Sequence, residues 1–184
     1  MQVHEGYEVF NMNIEEAIKT AIEFENKVRD VYQEAENQAT DSTGKHVLGA
    51  LAKEEQDHLD YLESRLKEWQ KTGKITLKKL DSAIPPKEII ERKVNMLKEK
   101  TKIHDTEKHH SSELRMLRNA LEVETETNEF YKRMVRELSE EGQRLFSRFV
   151  EIEEGHRAIV QAEIDYVSGP GYWFDFREFD LAGG

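Results

Sequence analysis

Two short segments, Glu55-Gln-Asp-His58 and Glu153-Glu-Gly-His156, place a glutamate three residues before a histidine, each inside a helical apolar pattern. Residues three apart on a helix lie one above the other on one face, so each pair can grip a single metal ion. Each pair follows a helical pattern whose apolar stripe holds one glutamate, Glu25 before the first and Glu124 before the second. Together these are four carboxylates and two imidazoles, the donor set of a dinuclear site. One Glu-x-x-His on a charged helix is ordinarily a solvated face; two copies, both on apolar stripes and both behind a stripe glutamate, point to metal instead. Four glutamates in a helical core cannot all stay ionised without compensation, and two divalent cations cancel their charge. Oxygen-rich sites with one nitrogen per metal suit iron or manganese, and zinc also binds such ligands.

The elements that must position these residues are long helices. The first opens at Asn13, with Glu16 three residues on in a capping-box arrangement, and is expected to run to about Ala39. Its stripe reads Ile14, Ile18, Ala21, Glu25, Val28, Tyr32 and Ala35, the alternating steps of a bundle helix. After a turn signal at residues 41–44, a second helix carries Leu48, Leu51, Glu55, His58, Leu62 and Leu66 until Gly73 stops it. Residues 71–110 are Lys-rich, broken by Pro85 and Pro86, with a short helical stretch after the prolines and a polar run through His104, His109 and His110, of which His109 and His110 read as solvated. They form a long connection. A third long helix shows Leu117, Leu121, Glu124, Asn128, Tyr131, Val135 and Leu138; a fourth, capped near Ser139, shows Leu145, Phe149, Glu153, His156, Val160 and Val167 before Gly169 ends it. Residues 169–184 form a short tail holding Tyr172, Trp173, Phe174, Phe176 and Phe179, which packs against the bundle or a partner subunit, or less readily shapes an entrance to the site.

The chain repeats itself. Glu25 with Tyr32 seven residues on matches Glu124 with Tyr131 at an offset of 99, and the two Glu-x-x-His pairs are offset by 98. Two helical hairpins related by a pseudo-twofold axis explain this.

Composition narrows the function classes. The 184 residues fit one domain able to bury a real core, with a bundle over about 13–168. Charged residues make up 35%, which favours long solvated helices over a sheet-rich fold. There is no cysteine, so disulfides, thiolate nucleophiles, iron–sulfur clusters and sulfur-ligated zinc are excluded together. A net charge of −11 argues against nucleic acid, whose affinity rests on phosphate neutralisation by Lys and Arg. No stretch approaches a signal peptide or a membrane span, and the expectation is a soluble, cytoplasmic protein without nucleic-acid or membrane partners.

The pattern Glu25, Glu55-x-x-His58, Glu124, Glu153-x-x-His156 resembles the ferritin-like di-iron carboxylate proteins over residues 13–168. Within them the chain is most similar to rubrerythrin-type proteins, through the Glu-to-Tyr spacing of seven and the aromatic tail. The resemblance implies an all-α, ferritin-like antiparallel four-helix bundle with a long crossover between helices 2 and 3. It also implies two Fe ions, with Mn or Zn as alternatives, held by the six named residues. Tyr32 and Tyr131 then hydrogen-bond ligand carboxylates, or serve as ordinary core tyrosines; Thr127 and Asn128 are further candidates to support the ligands, Asn128 reading more readily as a structural polar residue. Two departures stand out. Where rubrerythrins carry a further glutamate three residues after the third-helix ligand, this chain has Thr127, and it lacks their four-cysteine rubredoxin-like domain. Turnover therefore requires an external electron donor such as a rubredoxin-like protein.

The expected function is that of a rubrerythrin-like di-iron peroxidase or oxidase, an oxidoreductase reducing peroxide or dioxygen to water, assembled as a homodimer. Ferroxidase activity with iron storage or handling is the rival reading, and a non-catalytic helical interaction module stabilised by metal is the second. An oxygen-activating hydroxylase fits the ligands too, but no substrate pocket can be read from the sequence.

Overall fold

Capping chemistry sets the first helix. Asn13 Oδ1 accepts the Glu16 N–H at 3.0 Å and Glu16 Oε2 accepts the Asn13 N–H at 3.1 Å, so two donors that a helix start leaves orphaned are satisfied reciprocally. The structure is a computed structural model that describes residues 12–100, 111–169 and Trp173, with side chains for all of these except 97–100 and 111. Helix α1 spans Ile14–Gln38 and buries the predicted stripe together with Ala17.

Helix α2, Ser42–Thr72, starts inside the expected turn signal, because Asp41 accepts the Thr43 and Gly44 N–H groups at 2.8 and 2.9 Å and so serves as its N-cap. Gly73, at φ 66°, closes it. The stripe shifts near that end. Leu66 is half-buried and Arg65 takes the buried place, donating to the Thr76 carbonyl and to Glu68. The cause is the following segment, which folds back to bury Ile75 and Leu80.

The prolines launch helix α3, Lys87–Lys100, with Pro86 O accepting the Ile89 and Ile90 N–H groups. Ile90 and Val94 bury where α3 lies against α5. Just before it, the Pro85 carbonyl sits so close to Gly155 that a Cβ there would stand 3.0 Å from its oxygen. The connector thus presses on the glycine inside the second Glu-x-x-His segment. Helices α4, Ser111–Glu137, and α5, Glu140–Ser168, complete the set; the described residues form five helices and no strand. His104, His109 and His110 lie outside the described residues.

Cross-links give the directions. Gln70 with Glu15 and Arg29 with Gln56 pair α1 and α2 in opposite senses. Tyr32 with Glu124 and Tyr131 with Glu25 do the same for α1 and α4, and Asn128 with Val150 and Lys132 with Glu154 join α4 to α5. The result is an all-helical bundle of four long helices with α3 laid against one of them. Its apolar interior falls into two clusters. One holds Val28, Leu48, Leu51, Leu117, Val123, Ile159 and Val160; the other holds Ile18, Leu62, Phe130, Met134, Phe146 and Phe149. On every long helix the boundary between them coincides with the glutamates and histidines singled out above.

Of the aromatic tail, Trp173 is described. It is buried against the bundle, its indole N–H pointing at Glu113 from 3.4 Å, while Glu113 also accepts from Thr40 Oγ1. One carboxylate therefore ties the tail to the turn between α1 and α2. The other tail aromatics lie outside the described residues.

Candidate metal centre

Every long helix contributes to one buried layer. Glu25 from α1, Glu55 and His58 from α2, Glu124 from α4, and Glu153 and His156 from α5 are all 0% exposed. They divide into two overlapping groups, Glu25, Glu55, His58 and Glu153, and Glu55, Glu124, Glu153 and His156, in each of which one donor atom per residue lies within 4.8 Å of the others. Glu55 and Glu153 belong to both. The offsets of 98 and 99 convert one group into the other, so the sequence repeat is a repeat of the site.

The imidazoles point their Nδ1 atoms into the layer. His58 Nδ1 lies 3.0 Å from Glu55, 3.2 Å from Glu25 and 3.6 Å from Glu153. His156 Nδ1 lies 2.8 Å from Glu55, 3.7 Å from Glu124 and 3.9 Å from Glu153. The two rings stack with centroids 5.4 Å apart. Tyr32 donates its hydroxyl to Glu124 Oε1, and Tyr131 donates to Glu25 Oε1. Each tyrosine thus crosses to the glutamate of the opposite half. Of the other polar residues named beside the ligands, Thr127 donates to the Val123 carbonyl of its own helix at 2.9 Å, and Asn128 donates to the Val150 carbonyl at 3.3 Å. Neither bonds a site carboxylate.

The charges are strained when only protons balance them. Burial, then repulsion from Glu55, lifts the Glu25 carboxyl to about 8. Burial and the neighbouring carboxylates push Glu153 well up, and burial with Glu55 raises Glu124. Glu55 goes the other way: burial opposes its ionisation, but the two imidazoles hold it well below the usual range. Burial opposes the charged imidazoles too, yet Glu55 and Glu25 lift His58 to about 10, and Glu55 leads in raising His156 well above its ordinary value. Buried charge on this scale is normally held by pairing or by a cation.

The donor set fits divalent cations. Glu124 Oε2 and both Glu153 oxygens are buried with no hydrogen-bond partner, while Glu55 Oε1 lies 2.8 Å from His156 Nδ1. Buried carboxylate oxygens that converge with too few hydrogen-bond donors among them are placed as ligands are placed. Carboxylate oxygens with one imidazole per group select hard or borderline metals over thiophilic ones. These buried Glu and His groups can hold metal ions.

One residue of this region was not singled out from the sequence. Glu54 is 8% exposed, accepts the Ala83 N–H at 2.8 Å and brings its other oxygen to 3.8 Å from His156 Nε2. Burial opposes its ionisation, but contacts to His156, Ser82 and Ala83 hold it down at about 2. The signal was present. Positions 51, 54, 55 and 58 form the i, i+3, i+4, i+7 face of a wide stripe.

No protein-family model, curated protein or solved structure matches this chain.

Proposed function

We propose that this chain is a ferritin-like, rubrerythrin-type di-iron oxidoreductase that reduces peroxide or dioxygen to water with electrons from an external donor. The observation that carries the reading is the pair of overlapping donor groups sharing Glu55 and Glu153. Glu55 and Glu153, common to both groups, would hold two divalent cations together with Glu25 and His58 on one side and Glu124 and His156 on the other. Iron held there would supply the two electrons that cleavage of a peroxide O–O bond requires. Reduction of peroxide consumes those two electrons and two protons and releases two waters.

The chain's own residues set the conditions. Tyr131 and Tyr32 fix the unshared carboxylates of Glu25 and Glu124 by hydrogen bonds, which would hold those groups in one orientation toward a bound cation. Phe149, edge-on to His58 with centroids 5.5 Å apart, and the aromatic cluster behind it keep one side of the layer dry. Residue 127 is a threonine engaged with its own helix, and α4 brings no second carboxylate at that position. With no cysteine among these 184 residues, the bundle holds no thiolate-ligated redox centre, so in this reading electrons reach it from a donor outside the bundle, for which a rubredoxin-like protein is suited, and the working assembly is a homodimer. The long connector carrying α3 serves in this reading as the crossover between helix pairs.

The test is peroxide consumption by ferrous-loaded protein under anaerobic conditions, compared with the same amount of free iron and with a Glu55→Ala, Glu153→Ala double variant. Consumption well above free iron that vanishes in the variant supports the proposal. Consumption no faster than free iron removes it, and release of ferric iron from the site during the assay assigns a ferroxidase role instead.

A further inference from the structure

The two halves of the site differ in one buried carboxyl, and its meaning rests on the dinuclear reading above. Both histidines offer Nδ1 to the carboxylates. A neutral imidazole that gives Nδ1 to a cation carries its hydrogen on Nε2, and a buried N–H needs an acceptor, which also fixes the ring and strengthens the ligand. His156 has one at hand. Glu54 Oε2, buried and without a hydrogen-bond partner of its own, lies 3.8 Å from His156 Nε2, itself buried and without one. Charge-assisted bonds of this kind sit at about 2.7–2.9 Å, so the Glu54 oxygen has about 1 Å to travel to make one.

His58 lacks the counterpart. Its Nε2 is buried and unpartnered, and the residue at the offset of 98 from Glu54 is Ile152, 4% exposed. Glu54 also comes within 4.8 Å of a His58 nitrogen, yet His156 is the nearer. Phe149, not an acceptor, faces the His58 ring. The helical repeat that makes the six ligands equivalent therefore fails at the group behind one of them.

We propose that Glu54 is a positioning residue for His156 and makes the two metal positions unequal, the one built on Glu124 and His156 taking a divalent first-row cation more tightly than the one built on Glu25 and His58. Because Glu54 also accepts from Ala83, it links the connector ahead of α3 to that tighter position.

A cobalt(II) titration of the metal-stripped full chain, read by the absorbance of bound cobalt against a competing chelator, tests this in wild type, Glu54→Gln and Glu54→Ile. Wild type is expected to fill in two steps. Glu54→Ile weakens the tighter step by about 10–100-fold, the usual cost of losing such a partner, alters the absorbance of the first equivalent, and leaves the weaker step in place. Glu54→Gln, which keeps an acceptor oxygen, recovers part of the loss and carries the test if the isoleucine variant does not fold. Two indistinguishable steps in wild type, or variants that move neither step or both equally, overturn the proposal and leave the dinuclear reading standing; no cobalt bound by wild type overturns both. If Glu54 only anchors Ala83, the variants lower the melting temperature of the metal-free form with both steps unmoved, which also overturns it.

Discussion

The two sides of the acidic layer are built from the same helices and yet differ in kind. Toward one end the core is mainly aliphatic, with Val28, Leu48, Leu51, Leu117, Ile159 and Val160; toward the other it is aromatic, with Phe130, Tyr131, Phe146 and Phe149 in mutual ring contact. The ligands obey the repeat while their surroundings do not: Phe149 corresponds by offset to Leu51, and Ile152 to Glu54. A repeat that keeps the six donors and the two tyrosines bonded to them, and little else, is what metal coordination demands. Packing needs only volume and apolarity, and is met differently on each side.

Removing bulk tests the difference most strongly. Phe149→Ala, which opens the aromatic side beside His58, is expected to destabilise by about 3–5 kcal/mol, whereas Leu51→Ala on the aliphatic side falls within about 2–5 kcal/mol. Denaturant unfolding of both decides it; a Phe149 variant costing clearly less than the Leu51 variant would show that the ring cluster contributes no more than the aliphatic side.

A pH series on metal-stripped protein probes the layer itself. Glu25, raised from 4.5 to about 8, and His58, raised from 6.5 to about 10, are both held protonated by the fold. For a group whose folded pKa is raised, the stabilisation is full below the unfolded value and is lost as pH rises through the folded one. The melting temperature in chelator should therefore fall from about pH 4.5, where Glu25 begins to count, to about pH 10, where His58 has lost its proton, and added divalent metal should restore it most toward the upper end. A melting temperature that rises over that range contradicts the assignment.

The tyrosines test the equivalence of the halves. Tyr32→Phe and Tyr131→Phe each strip one donor from a buried ligand carboxylate, at about 1–3 kcal/mol apiece. Matching losses in the two variants sharpen the pseudo-twofold reading; a loss in one alone breaks it. The smallest effect belongs outside the layer, at the exposed Lys27–Glu126 pair between α1 and α4, where Lys27→Ala should cost at most about 1 kcal/mol and leave metal binding unchanged.

Much of this arrangement was legible in the sequence because its signals are local. The stripe around Glu25, the capping box at Asn13 and the stop at Gly73 all rest on neighbours a few residues away, and α1, α2 and α5 form where periodicity places them. The six donors could be grouped because the chain states them twice. What periodicity cannot carry is contact between distant segments. That Tyr32 reaches Glu124 and Tyr131 reaches Glu25, rather than each its own helix's glutamate, depends on how α1 lies on α4. The same is true of Arg65, whose burial is created by the segment folding over it, and of Glu54, which looks like one more surface acid until Ala83 and His156 meet it. Thr127 and Asn128 sit on the inward face as expected, but their hydrogen bonds go to backbone carbonyls.

The most direct measurement of the central claim is elemental analysis of the protein purified without added metal, beside a Glu55→Ala, Glu153→Ala double variant. Because those two carboxylates belong to both donor groups, the account predicts two metal ions per chain, iron first among them, in wild type and essentially none in the variant. Metal-free wild-type protein, or a variant that keeps its full complement, would contradict it.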